Sequence, residues 1–204
     1  MIRLYRAPFS TNVERVALAL AHKGLAVESM VIDYADRSEV ERVSGQGLVP
    51  VIEHEGEVVA DSVAILAWLE ERHPDPPLYP AEPARRTEME LFIDWFNRVW
   101  KVPPNAIEQE LLAASPDSER LEALSAEMRW ALDRFEALLT GRDFLFGEFS
   151  AADCVAYPFL KYALGRHEDD DELFHRVLEE HQRIDAEHPW LAGWIRRMDT
   201  LPRV

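Results

Sequence analysis

The sequence predicts two regions of different fold class: a small α/β domain at residues 1–78 and an all-helical domain at residues 84–204. In the first region, short apolar runs alternate with amphipathic stretches, which is typical of strands packed against helices. Residues 73–77 (HPDPP) have the proline density of a linker. Beyond that segment the strand signal almost disappears, so the second region is predicted to be helical.

The strands of the first domain are predicted by short apolar runs at residues 2–5, 27–32, 51–54 and 58–60. The last two runs flank Glu55-Gly56, a pair that is typical of a hairpin turn. We therefore expect these two runs to form neighbouring antiparallel strands.

Two helices are predicted between and after these strands. The first places its apolar residues on one helical face: Val13, Val16, Ala17 and Leu20. It ends at Lys23-Gly24, because a basic residue followed by glycine is typical of a helix C-terminus. The second occupies residues 63–72 and begins after Asp61-Ser62.

The second domain is predicted to consist of helices alone. Residues 85–101 have helical periodicity until Pro103-Pro104 stops the helix. The same pattern recurs at residues 117–139, 150–165, 172–182 and 189–200. The sequence shows no internal repeat.

The composition excludes several classes of protein. The 204 residues (23.5 kDa) are 48% hydrophobic and include six Trp, so a sizeable core can form and disorder is excluded. The net charge is −16, which argues against nucleic acid and anionic membranes as partners. The one cysteine, Cys154, excludes an internal disulfide and a dithiol redox pair. Since neither a signal peptide nor a membrane-spanning apolar run is present, we expect a soluble, cytoplasmic protein.

The turn before the first helix, PFSTNVERV at residues 8–16, is the first candidate site. Its hydroxyl groups lie beside the unpaired N–H groups and the positive dipole end of a helix. This environment would stabilise a bound thiolate, and the Ser10 hydroxyl would donate a hydrogen bond to it. The alternative is that Ser10 or Thr11 is only an N-cap.

Two further patterns suit the binding of an extended ligand. In GLVPVI at residues 47–52, Pro50 directly precedes a strand. A cis Val49–Pro50 bond would leave the Val49 backbone able to pair with a ligand. Most X–Pro bonds are trans. In Ala60-Asp61-Ser62, the Ser62 hydroxyl and the first-turn N–H groups suit a carboxylate, and Asp61 suits an ammonium group. The alternative is again a helix cap.

Taken together, these patterns resemble the glutathione S-transferase family, in its serine-type, bacterial-like cytosolic form. The sequences that carry the resemblance are PFSTNVERVALAL, GLVPVIEHEGEVVADSVAILAWLEERHP, FLFGEFSAADCVAYPFL and HPWLAGWIRRMDTLP. In the third of them, Ser150-Ala151-Ala152-Asp153 resembles the family's helix N-capping box. The resemblance covers nearly the whole chain and implies a thioredoxin-like domain (βαβ-α-ββα) followed by a helical bundle domain.

The resemblance implies a role for each matched residue. Ser10 stands where serine-type members place the residue that activates the glutathione thiol. Val49 would pair its backbone with the cysteinyl part of glutathione, beside Pro50 in the cis form. Asp61 and Ser62 would hold the γ-glutamyl end.

Asn12 and Arg37 complete the predicted glutathione-binding residues, and Thr11 or Asn12 is the alternative partner of the thiolate. Val13 stands where glutaredoxin-like relatives have a second cysteine, so exchange through a protein dithiol is excluded. The chain also departs from the family. Leu48 stands where many members have Lys, Gln or Arg, which puts a contact to the glycyl carboxylate in question. Ser44-Gly45 replaces the usual Asn-Pro, and Asp61 replaces the commoner Glu.

The hydrophobic substrate is expected between the domains, against Phe9, Trp95 and Trp100. The alternative for these aromatic residues is core packing. Cys154 is interpreted as a buried apolar residue. The acidic run at residues 168–172, with His167 and His175 nearby, has no defined ligand spacing, so we interpret it as an exposed acidic loop and predict no metal site.

The resemblance implies a glutathione transferase that uses glutathione as co-substrate in detoxification. The thiolate would attack a hydrophobic electrophile, and the protein would act as a homodimer formed between the first domain of one subunit and the helices of the other. The alternative is a non-catalytic or regulatory member of the same fold. The sequence does not identify the electrophile, the native thiol, or which chemistry dominates: conjugation, peroxide reduction, isomerisation or dehalogenation.

Overall fold

The computed structural model describes residues 1–204. The chain divides into two compact units, residues 1–80 with 201–204, and residues 81–200. The last four residues, which the sequence analysis assigned to the second domain, lie with the first unit: Arg6 Nη1 donates to the Val204 carbonyl oxygen at 2.7 Å. No helix in either unit combines the length and the apolar character that crossing a membrane requires.

The first unit is built on four strands: β1 (Ile2–Arg6), β2 (Val27–Val31), β3 (Val51–His54) and β4 (Glu57–Ala60). They form one mixed sheet in the order β2-β1-β3-β4. β1 runs parallel to β2 and antiparallel to β3, and β3 pairs antiparallel with β4. Glu55 and Gly56 connect β3 to β4 with positive φ angles of 52° and 86°, the geometry of a tight hairpin. The predicted thioredoxin-like fold is confirmed.

Three helices cover this sheet: α1 (Thr11–His22), α2 (Ser38–Ser44) and α3 (Ser62–Arg72). Tyr5 and Val51 pack with Val40 of α2 on one face. Their neighbours Leu4 and Ile52 are fully buried and point to the opposite face, because side chains alternate along a strand. α1 and α3 pack against each other in this unit.

The proline-rich segment after α3 is anchored by a buried lysine. Lys23 Nζ donates to Glu70 Oε2 at 2.9 Å, to the His73 carbonyl at 2.6 Å and to the Pro76 carbonyl at 2.9 Å. The Lys23 side chain is fully buried. The other lone pairs of Glu70 accept the backbone N–H groups of residues 78 and 79. Hydrogen bonds therefore hold the predicted linker against α1 and α3.

The register of the sheet brings four chain segments to one end. Tyr5 lies opposite Met30 on one side and Val51 on the other, and Val51 lies opposite Ala60. The chain leaves β1, β2 and β4, and enters β3, just beyond this row. We call this end the loop edge, formed by residues 7–10, 32–37, 46–50 and 61–62.

The second unit consists of α4 (Pro83–Trp95), a π-helical turn (Phe96–Trp100), α5 (Val102–Leu111), α6 (Ser118–Leu139), α7 (Ala151–Leu160) with a 3₁₀ turn (Lys161–Leu164), α8 (Leu173–His181) and α9 (Pro189–Asp199). Pro103-Pro104 was predicted only to end a helix. These prolines instead lie in the first turn of the next helix, α5. A proline is tolerated there since its missing N–H has no intrahelical partner. Helix α5 is therefore an element that the sequence did not predict.

Helix α7 is the core of the second unit, and all of its residues are buried. Its N-terminus is closed by the Asp153 carboxylate, which accepts the Ser150 N–H at 3.0 Å and the Ser150 hydroxyl at 2.8 Å. The same carboxylate accepts the Leu145 N–H at 3.0 Å and Trp194 Nε1–H at 2.9 Å. The predicted capping box is confirmed. Burial raises the pKa of Asp153 to about 6, although these hydrogen bonds act to lower it.

Candidate functional site

Ser10 is the N-cap of α1 at the loop edge. Its Oγ accepts the Val13 N–H at 3.3 Å, so the capping interpretation holds. Ser10 is only half-buried. Because the hydroxyl accepts this bond, its own proton is available to a group placed beside the helix end. Capping and thiolate binding are therefore compatible at this residue. Asn12 follows in the first turn and is also half-buried.

Asp61 and Ser62 begin α3 at the same edge. Asp61, with a positive φ of 76°, is the N-cap, and its Oδ1 accepts the Val63 and Ala64 N–H groups at 2.9 and 3.0 Å. Its side chain stays exposed at this helix end. Ser62 is the first helical residue and is buried at 3% exposure. The cap alternative is therefore correct for Asp61 and not for Ser62.

A buried arginine, which the sequence analysis missed, lies behind Ser62. Arg15 of α1 is 1% exposed, and its Nη1 donates to Ser62 Oγ at 3.2 Å. Since Ser62 accepts this bond, its own hydroxyl proton is directed elsewhere. The guanidinium adds a positive charge to the helix end, and both favour an anion there. A signal was present in the sequence: Arg15 directly precedes the apolar run at residues 16–20, and a charge within such a helix is normally paired.

The entry to β3 supplies the backbone part of the site. The Val49–Pro50 peptide bond is cis. The pairing of β3 with β1 and β4 begins at Val51, so the Val49 peptide groups lie outside the sheet ladder. Val49 is half-buried, and its side chain packs against the cluster beneath α2.

The β2 side of the loop edge is a hydrogen-bonded loop structure. Arg37 Nη1 donates to the Gly47 carbonyl at 2.7 Å, and its guanidinium lies 5.2 Å from the centre of the Tyr34 ring. Tyr34 Oη donates to the Pro8 carbonyl at 3.1 Å. The predicted ligand residue Arg37 thus also holds its own loop in place.

The three aromatic residues predicted to contact the electrophile have different surroundings. Phe9 is 42% exposed at the loop edge, with a positive φ of 57°. Trp100 is buried in the second unit and stacks on Phe96 with ring centroids 4.4 Å apart. Trp95, half-buried, lines a groove of about 460 Å³ between α4 and α6 together with Phe92 and Trp130. We call this the α4–α6 groove.

Two remaining residue sets have structural surroundings. Cys154 is buried within α7, in agreement with its interpretation as an apolar residue. Of the acidic run at residues 168–172, Asp170 is buried and accepts hydrogen bonds from Tyr162 Oη at 3.0 Å and from His175 Nδ1 at 2.8 Å. The other members of the run are exposed.

Comparison with known proteins yields related sequences and structures. The family description "Glutathione S-transferase, N-terminal domain" matches residues 4–77, and "Glutathione S-transferase, C-terminal domain" matches residues 118–197. FtsZ-localized protein A of Caulobacter vibrioides is 31% identical over 170 residues, which are 77% of this chain and 75% of that protein. Glutathione S-transferase omega-1 of Mus musculus is 30% identical over 168 residues, 78% of this chain and 66% of that protein.

Among solved structures, a glutathione S-transferase of Methylobacterium radiotolerans in complex with glutathione sulfonate superimposes with a TM-score of 0.74. It is 26% identical, and the match covers 100% of this chain and 95% of that one.

Proposed function

Because the chain belongs to the glutathione S-transferase family and is by its domains and relatives a glutathione transferase, we propose that it binds glutathione along the loop edge and ionises its thiol at Ser10. The serine type of the site is part of this proposal. The observation that carries it is the sheet register, which sends Ser10, Val49 and Asp61-Ser62 out at one end of the sheet.

The proposed orientation follows from the charges at the two helix ends. The γ-glutamyl carboxylate lies at Ser62, where the N-terminus of α3 and the buried Arg15 favour an anion. The ammonium group lies at the exposed carboxylate of Asp61. The cysteinyl peptide group pairs with the Val49 backbone, beside Pro50, and its sulfur reaches the N-terminus of α1, where Ser10 and Asn12 lie.

The energy required for ionisation matches what this helix end supplies. A free thiol with a pKa of about 8.5 is only about 3% ionised at neutral pH, whereas a pKa of about 6.5 gives about 75%. The change requires about 2.7 kcal/mol of preferential stabilisation. A hydrogen bond to a charged partner contributes about 1.5–3 kcal/mol, and the helix dipole adds about 0.3–1 kcal/mol.

The bound thiolate then acts as a nucleophile toward an electrophilic carbon. Its lone pair forms the new C–S bond while the bond between that carbon and the leaving group breaks, and the leaving group departs with the bonding electron pair. We assign Phe9 to the electrophile, since it is exposed and adjacent to Ser10. Trp95 and Trp100 stay predictions; the burial of Trp100 against Phe96 favours core packing for that residue.

Ser10→Ala tests the proposal directly. The pKa of bound glutathione should rise by about one to two units, because one hydrogen bond to the thiolate of about 1.5–3 kcal/mol is lost. The measurement is an ultraviolet titration of the enzyme-bound thiolate. Ser29→Ala, at an exposed serine of β2, is the control, and Asn12→Ala tests the alternative thiolate partner. An unchanged titration in Ser10→Ala would transfer the role to Thr11, Asn12 or a backbone N–H.

We further propose a cytoplasmic homodimer in which the α4–α6 groove receives the first domain of a second copy. Trp130 is 55% exposed there, and the groove is flanked by Arg134 and Arg142. The first domain is acidic, with 13 acidic against 7 basic residues in positions 1–78, so its charge complements these arginines. Sedimentation equilibrium should give twice the monomer mass; a monomer at all concentrations would contradict this.

A non-catalytic binding module is the second candidate. It is favoured by the relative named for its localisation with FtsZ and by the departures at Leu48 and Ser44-Gly45. Retention on immobilised glutathione and turnover of an aromatic halide distinguish the two. Retention without turnover would favour the binding module, whereas the absence of both would remove glutathione as a ligand.

A further inference from the structure

The two ends of the proposed glutathione site carry different chemical groups. The order of the strands in the sheet indicates which end would lie beside which part of a ligand. Across the loop edge, Ser62 follows β4, Val49 precedes β3, Ser10 follows β1, and Arg37 follows β2. A ligand with its γ-glutamyl end at Ser62 and its sulfur at Ser10 therefore extends its far end past Val49 toward Leu48 and the loop after β2.

The end of the site at Ser62, which we call the near end, favours an anion, since Arg15 is buried against Ser62 at the N-terminus of α3. At the far end, Leu48 presents a side chain that is 69% exposed and apolar. Its backbone groups are already in use: Leu48 N–H donates to Gln46 Oε1 at 2.6 Å, and Gln46 Nε2 donates to the Leu48 carbonyl at 2.9 Å. Because these two hydrogen bonds occupy the backbone groups of Leu48, the residue offers a ligand only its exposed aliphatic side chain.

The polar side chains near Leu48 are also committed to the loop. The Gln46 amide that bonds Leu48 lies within 3.2 Å of Ser44 Oγ as well. Arg37 donates to the Gly47 carbonyl at 2.7 Å and to the Tyr34 carbonyl at 3.4 Å. These bonds hold two of the five guanidinium N–H donors of Arg37 to the loop.

The local charge opposes a second carboxylate. Residues 33–41 contain four acidic residues and one basic residue: Asp33, Asp36, Glu39 and Glu41 against Arg37. Gly47 lies close to this group, because a Cβ placed on it would be 3.0 Å from Glu41 Oε1. An anionic group at the far end would thus approach a segment of net negative charge, whose one arginine already bonds two loop carbonyls.

We propose that the far end of the site accepts an uncharged group, so that the preferred thiol is a γ-glutamyl peptide whose second carboxylate is blocked as an amide or an ester. This inference rests on the proposed function, since it deepens the ligand class of the same site. Leu48 is its specificity-determining residue, and the free glycyl carboxylate of glutathione contributes no affinity.

The test compares two probes by isothermal titration calorimetry: glutathione and its glycyl monoethyl ester. The ester should bind at least as tightly as the free acid. The comparison is made at 0.15 M and at about 0.5 M salt, since salt screens the long-range repulsion between an acidic protein and the acid but leaves a direct contact. Free acid that binds about fivefold or more tightly than ester at both salt concentrations would overturn the inference.

Leu48→Lys supplies the matched variant, because the exposed side chain makes the substitution compatible with folding. A new ion pair of about 1 kcal/mol should shift the acid-to-ester affinity ratio about fivefold toward the acid. An unchanged ratio would show that residue 48 does not face this end, and would also overturn the inference. If neither probe binds the wild type, the proposed function fails together with the inference; if only the acid binds well, the proposed function stands and the inference alone fails.

Discussion

Two helices of this molecule, α1 and α7, have a serine as N-cap, and the surroundings of their N-termini differ. Ser10 at α1 is half-buried and accepts one N–H, at 3.3 Å. Ser150 at α7 is buried beside the Asp153 carboxylate, which accepts four donors at 2.8–3.0 Å. The positive end of α7 is thus neutralised inside the protein, whereas that of α1 remains available to a ligand. A helix N-terminus becomes a binding site only where its own cap leaves donors in contact with solvent.

Asp153→Ala should have the largest effect on the difference between the two helix N-termini. Four donors would lose their buried acceptor, so the variant should be destabilised by about 3 kcal/mol or more at pH 7. Urea denaturation followed by circular dichroism measures this. Asp169→Asn, an exposed aspartate in the acidic loop, is the control and should stay within about 0.5 kcal/mol of wild type. A small effect in Asp153→Ala would mean that the carboxylate does not close α7.

Truncating the two serines compares the caps directly. Ser150→Ala removes a hydrogen bond to a buried carboxylate and should cost about 2 kcal/mol. Ser10→Ala removes a single long capping bond and should cost about 1 kcal/mol or less. Both values come from the same denaturation experiment. Equal costs would show that the cap of α1 is structural to the same degree, which weakens its assignment as a ligand site.

The pH dependence of folding stability tests the role of Asp153 at the N-terminus of α7 in a second way, and the expected effect is smaller. The pKa of Asp153 is raised by burial from 3.8 to about 6, so between these values the folded state binds more protons than the unfolded state. The contribution of Asp153 to stability is therefore complete below pH 3.8 and decreases as pH rises through 6. The stability gap between wild type and Asp153→Ala should widen by about 1 kcal/mol from pH 7 to pH 5. A constant gap over this interval would contradict the raised pKa.

Much of the architecture could be predicted because its signals are local. Apolar runs of strand length predicted all four strands, and Glu55-Gly56 predicted the hairpin. Helix α5 was missed because Pro103-Pro104 allows two outcomes, the end of one helix or the start of the next, and tertiary packing selects between them.

At the candidate site, the sequence predicted single residues but not their partners. Ser10, Asp61 and Ser62 follow from helix-start patterns, which are local. The contact of Arg15 with Ser62 joins residues 47 positions apart, and the commitment of Gln46 and Arg37 to the loop depends on side-chain conformation. Such contacts are set by the tertiary fold, so a single sequence does not reveal them.

The buried Lys23 gives the proline-rich segment a fixed place against the helices of the first unit. Because its ammonium group bonds Glu70 and the carbonyls of His73 and Pro76, this one residue at the end of α1 joins the segment to α1 and α3. These are the two helices whose opposite ends carry Ser10 and Ser62. The position of the segment that follows α3 therefore depends on α1 as well, because both helices share this one buried donor.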